Sequence, residues 1–138
     1  MTVKVAGIWE LGWSTPIKEV ELWQFPLRDF DVDGLYMTPI SGIESKHVEE
    51  RASMGEIITE ARSEGLTVVF VDEEGATPLR EFEHPESVLY VFGKAGSSPK
   101  KIHEEEGDFT VSIETPQMKG LLWPHQAANI ILYDRTIK

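Results

Sequence analysis

Three observations predict an α/β fold with a mostly parallel sheet of five to six strands flanked by helices. Short apolar and β-branched runs recur along the chain: VKVAGI, GLYMT, LTVVFV, VLYVF and FTVSI. Segments with helical spacing or helix-start chemistry separate them, and strands alternating with helices imply a parallel sheet joined by crossovers. The run Leu66 to Val71 is apolar without interruption, as suits a strand covered on both faces.

Val3 to Ile8 reads as a buried first strand. Thr15-Pro16 supplies an N-cap followed by proline at the first helical position, so a short helix is expected from there to about Phe25. Pro26 removes a backbone donor and disfavours helical geometry at the preceding residue. Gly34 to Thr38 is the second strand, closed by Pro39. Ser45 is a candidate cap for a long helix with Val48, Ala52, Ile58 and Ala61 on one face, and Gly65 is its stop signal. After the strand Leu66 to Val71, Thr77-Pro78 repeats the cap-and-proline device before a short helical turn, Leu79 to Phe82. Val88 to Phe92 and Phe109 to Ile113 are the last strands. The closing helix is expected from Pro124 to about Arg135, with Ala127, Ala128, Ile131 and Leu132 facing the core.

At 138 residues with 41% hydrophobic content, the chain can bury one sound core, so residues 1 to 138 are expected to form a single domain. It has no cysteine, which removes disulfides and thiolate metal sites. No apolar run is long enough to span a bilayer, and the first residues lack a basic region followed by a long apolar stretch; the expected location is the cytoplasm. His47, His84, His103 and His125 show no ligand spacing, so no metal site is expected.

The formal net charge of −11 disfavours gripping a polyphosphate backbone with the whole surface. The acidity is uneven: residues 1 to 85 carry 17 acids against 7 bases, and residues 86 to 138 carry 7 against 6. A basic or neutral protein partner suits the first part, while RNA can approach the second, where Lys94, Lys100, Lys101 and Lys119 lie near a glycine loop. Trp9, Trp13, Trp23, Phe25 and Phe30 form a dense aromatic group that either packs around the first helix or supplies anchors for an interface.

The segment after Val88 carries most of the functional signal. Its strand VLYVF ends in Gly93-Lys94-Ala95-Gly96, and this loop is not a P-loop, which places its lysine after the last glycine and then Ser or Thr. A second strand ends at Pro116, and GLLWPHQAANIILYDR closes the chain. His125, just inside the last helix, is either a surface residue or a polar group facing a cleft.

FGKAG, VSIETP and GLLWPHQAANIILYDR, in this order, resemble the SpoU-type branch of the SPOUT methyltransferases. The resemblance implies a C-terminal trefoil knot, a homodimer, and S-adenosylmethionine held by backbone groups of the knot loops. It further implies methyl transfer to RNA, often at a ribose 2′-oxygen. It assigns cofactor binding to Phe92, Gly93, Gly96, Ile113, Gly120, Leu121 and Leu122. The family's Asn and Arg of the first loop and helix are absent from TPIKEVELWQF, and Arg28 is the candidate replacement for the arginine. Ala95 stands where the family loop has an acid, and Trp123 closes a segment that is polar in the family. These departures leave two expectations: an RNA methyltransferase with impaired or unusual catalysis, or an inactive relative that binds a protein through its acidic, aromatic N-terminal half.

Overall fold

The computed structural model describes residues 1–10, 16–72, 75–93, 107–116 and 122–138, with Phe25 and Pro26 described by backbone alone. Strand β1 (Val3–Ile8) leads to helix α1 (Pro16–Asp29), β2 (Gly34–Thr38), the two-residue β3 (Glu49–Glu50) and helix α2 (Met54–Ser63). Then come β4 (Thr67–Val71), the two-residue β5 (Thr77–Pro78), a 3-10 turn (Leu79–Glu81), β6 (Val88–Phe92), β7 (Phe109–Ser112) and helix α3 (Pro124–Ile137). Among the described residues the sheet has seven strands in the order β3-β2-β1-β6-β4-β7-β5, and every pairing is parallel. Beyond the five strands read from apolar runs, the extra two are β3 and β5, too short for any periodicity to reveal.

Alternation along the strands divides the core into two layers. Val5, Val69, Val71, Val88, Tyr90 and Phe92 face α1 and α3, where Val20, Trp23, Leu27, Ala128, Ile131 and Leu132 are buried. Ala6, Val68, Phe70, Leu89 and Val91 face α2 through Met54, Ile57, Ile58 and Ala61. The sheet is thus covered on both faces, as LTVVFV implies. Close approach of α1 to β1 uses Gly7: a Cβ there would stand 3.1 Å from Trp23 Cζ2 and 3.1 Å from Met37 Sδ.

Two helix boundaries differ from the sequence expectation. Helix α1 does not end at Phe25 but continues through Pro26 to Asp29. An interior proline costs about 3 kcal/mol, and burial of a large apolar side chain returns about 1.5–3 kcal/mol; Val20, Trp23 and Leu27, one face of α1, are all buried. The helix stops where Asp31 takes a left-handed φ of 57° and Val32 N–H donates to the Leu27 carbonyl.

Helix α2 is not capped by Ser45, whose hydroxyl accepts from His47 N–H in a local turn. It starts after Ser53, whose Oγ accepts from Glu56 N–H at 3.2 Å, while the Glu56 carboxylate reaches back to Ala52 N–H. Gly65, at φ 79°, ends it as expected, with Leu66 N–H donating to the Ala61 carbonyl. The residues Val48 to Glu50 instead run along β2, and Val48 is buried from an extended segment. Thr77-Pro78 also pairs as a strand, with Val111 and Ser112, before the helical turn that follows it.

Candidate active site

In a parallel sheet all strand C-termini lie at one edge, and ligands of such sheets bind there. Val71 pairs with both Phe92 and Val111, which sets the exits of β4, β6 and β7 level. Phe92 and Gly93 are buried at the β6 exit, and Ser112 is buried beside the half-buried Ile113 at the β7 exit. Half-buried Leu122 precedes α3, whose first turn is fixed by Pro124 and by Trp123 N–H donating to Gln126 Oε1 at 2.9 Å. Of the sequence-derived cofactor residues, Phe92, Gly93 and Ile113 therefore share one edge, with Leu122 leading into the last helix. Gly96, Gly120 and Leu121 lie outside the described residues.

The Phe92 ring points into the core, 2% exposed and 5.8 Å from the Trp23 ring in an edge-on contact. Its backbone is what it can offer a ligand. Trp9 N–H donates to the Thr38 carbonyl, and its indole N–H donates to Glu50 at 2.8 Å. Trp9 and Trp23 are 1% and 4% exposed, so packing accounts for these two members of the aromatic group. Phe30 packs partly buried against the same core; Trp13 and the Phe25 side chain lie outside the described residues. Burial pushes the Glu50 carboxyl up, but hydrogen bonds from Ser41 and Trp9 outweigh it and hold the group below its ordinary 4.5.

Glu19, in the first turn of α1, is 2% exposed and accepts the Glu10 N–H. Carboxylates, not a guanidinium, thus stand where β1 hands over to α1. His125 occupies the first turn of α3, half-buried, with its ring 6.5 Å from Trp23 at an interplanar angle of 68°. Burial lowers its pKa below the ordinary 6.5 and the Glu10 carboxylate pulls the other way. Among the described residues, neither ring nitrogen of His125 has a hydrogen-bond partner.

Arg28 is not brought to this edge. It sits in the last turn of α1, a helix about 21 Å long from its 14 residues, and α1 runs from the strand C-termini to their N-termini. There it lines a cavity of about 240 Å³ together with Asp33, Gly34, Lys46 and His47.

A second polar cluster was not legible in the sequence. The His84 side chain, 5% exposed, lies 2.7 Å from the Tyr90 hydroxyl and 2.6 Å from Asp134 Oδ2. Arg135 donates to the Pro85 and Glu86 carbonyls, and Lys138 to those of Leu79 and Phe82. These bonds fasten the end of α3 to the segment before β6. Partners 50 residues apart leave no local pattern that could have announced them.

Among the described residues, no group of three or more His, Asp or Glu could hold a metal ion, and no helix is long and apolar enough to cross a membrane.

No protein-family model matches the chain, and no curated protein does. Solved structures do match. An RNA 2′-O ribose methyltransferase superposes with a TM-score of 0.80 at 12% identity, over 99% of this chain and 56% of that one. The SpoU methyltransferase AviRb from Streptomyces viridochromogenes gives 0.78 at 19% identity, over 99% and 59%, and was also solved with AdoMet. The A. aeolicus TrmH/SpoU tRNA modifying enzyme gives 0.73 at 17% identity, over 99% and 73%. The chain spans 56% and 59% of the length of the first two. At these identities the likeness is one of architecture, and the architecture is unambiguous: the chain has the fold of the SpoU and TrmH RNA methyltransferases.

Proposed function

We propose that the protein binds S-adenosylmethionine at the C-terminal edge of its sheet and transfers a methyl group to an RNA hydroxyl, in the cytoplasm and as a homodimer. The observation that carries this reading is the level exit of β6, β4 and β7 at one edge, in a fold shared over 99% of the chain with a methyltransferase solved with AdoMet. In this reading the backbone groups of Phe92, Gly93 and Leu122 hold the cofactor, with Gly96, Gly120 and Leu121, outside the described residues, as the remaining binding residues. Ile113 and Leu122, both half-buried, supply apolar surface for a purine ring. In this reading the segment before α3 threads the loop after β6 as a trefoil knot. The cofactor, when bound, supplies an electrophilic methyl group on sulfur; the protein's part is to hold it, exclude water and position the hydroxyl.

A homodimer is supported by the outer faces of α1 and α3. Ile17, Ile130, Tyr133 and Ile137 are 62%, 37%, 58% and 63% exposed, an apolar surface that a second copy would cover. The alternative, a fold kept for binding a protein, retains the acidic surface but loses much of its aromatic support, because Trp9 and Trp23 are core residues.

Calorimetry with S-adenosylhomocysteine tests the proposal. Saturable binding with one site per chain is expected, and a crystal soak should place the ligand against Gly93 and Leu122. Absence of heat at millimolar ligand overturns it.

A further inference from the structure

Transfer to a hydroxyl needs a group that takes its proton, and α1 offers carboxylates rather than a guanidinium: Glu19 is spent on the Glu10 N–H, and Arg28 stands at the far end of the helix. Among the described residues at the cleft edge, the His125 side chain has the chemistry required. We propose that His125, backed by Glu10, is the proton acceptor for the substrate hydroxyl, an inference that rests on the methyltransferase reading and names the base of that site.

Four observations converge on it. His125 is in the first turn of α3, the helix that begins at the strand C-terminal edge. Its ring is positioned edge-on to Trp23, which also contacts Phe92, so the imidazole is tied to the wall formed by the β6 exit. The ring is half-buried, yet among the described residues its nitrogens have no partner, leaving them available to a ligand. The environment also favours a neutral ring at rest: burial and the positive end of the α3 dipole both oppose the imidazolium. Among the described residues, the carboxylates on that side include Glu10, after β1, and Glu19, on α1; Glu10 acts on the ring and stabilises the cation once the proton arrives.

The step balances. The hydroxyl oxygen forms a bond to the methyl carbon as the carbon–sulfur bond breaks and its electron pair stays on sulfur. The hydroxyl proton passes to a ring nitrogen of His125, and water takes it up after release. A base with a pKa near or below the working pH is mostly unprotonated and ready, and such assistance contributes about 10²–10⁴-fold.

The test combines binding, spectroscopy and turnover. In protein carrying ¹⁵N-labelled histidine, S-adenosylhomocysteine is expected to shift the His125 ring resonances and to leave those of His47, at the opposite edge, unmoved. His125→Gln and His125→Ala should bind S-adenosylhomocysteine within about threefold of wild type, yet methylate bulk RNA about 10²–10⁴-fold more slowly. Added imidazole should restore part of the rate to His125→Ala only, and the wild-type rate should climb with pH through the His125 titration. An unshifted His125 with ligand bound, or variants at full rate, overturns the assignment. A failure of ligand binding in wild type overturns the methyltransferase reading itself, and the two failures are thereby distinguished.

Discussion

His84 Nε2 lies 2.6 Å from Asp134 Oδ2 and joins the segment before β6 to the last turns of α3. The same ring meets the Tyr90 hydroxyl through Nδ1, and Tyr90 accepts from Arg135. A consistent arrangement has Tyr90 O–H donating to Nδ1 and Nε2–H donating to Asp134. His84→Ala removes both bonds and leaves the buried Tyr90 hydroxyl proton without its acceptor, while the Arg135 bond remains. Its expected cost is about 2–3 kcal/mol, read as a lower urea midpoint with unchanged slope.

The same histidine sets an acid limit on stability. Burial holds its pKa below the ordinary 6.5, and Lys138 and Arg135 push the same way, outweighing the attraction of Asp134. The unfolded chain therefore binds more protons than the native one as pH falls through 6.5, so stability is present above that pH and declines below it. Asp134, held below its ordinary 3.8, extends the loss at lower pH. Thermal melts from pH 8 to pH 5 should show the first decline in wild type and a flatter profile in His84→Gln.

Gly75 has no room for a side chain. A Cβ there would meet the Val111 carbonyl carbon at 2.5 Å and Ser112 N at 2.7 Å, both main-chain atoms of β7 that cannot step aside without breaking the ladder. Gly75→Ala is expected to unseat β5 from β7 and to destabilise by about 1–3 kcal/mol, with rapid amide exchange at Val111 and Ser112 as the local sign.

Arg28→Ala should be silent in function. At the far end of α1 it lines a cavity with Lys46 and His47 instead of the strand C-termini. S-adenosylhomocysteine affinity and methylation rate within twofold of wild type are expected. A tenfold loss of rate with binding intact would return Arg28 to the reaction.

Tyr133→Glu and Ile137→Glu test the proposed dimer. Both side chains are exposed on α3, at 58% and 63%, so the folded chain should tolerate them. Sedimentation should show wild type as a dimer and the double variant as a monomer with an unchanged circular dichroism spectrum.

The fold was legible where burial and local pattern agree. Val88–Phe92 and the face Ala127, Ala128, Ile131 and Leu132 lie as their apolarity implies, all buried. Pro26 misled because its local rule is overridden by the buried face on either side of it. Ser45 misled because a second serine, Ser53, carries the stronger signal, a glutamate three residues on. Phe92, Gly93 and Ile113 could be placed at strand exits from the apolar runs, and the structure brings them to one edge of the sheet. Glu19 and His84 could not: what distinguishes them is burial beside partners brought in by topology, and neither spacing nor composition encodes that.

The margins of the sheet carry a last consequence. One border strand is Glu49–Glu50 and the other ends in Pro78, so the first presents adjacent carboxylates and the second lacks an amide hydrogen at Pro78. Each is only two residues long, and short, charged or proline-bearing borders resist the addition of a further strand. Copies of this chain are thereby discouraged from stacking edge to edge into fibrils, so the strand borders oppose open-ended growth of the sheet.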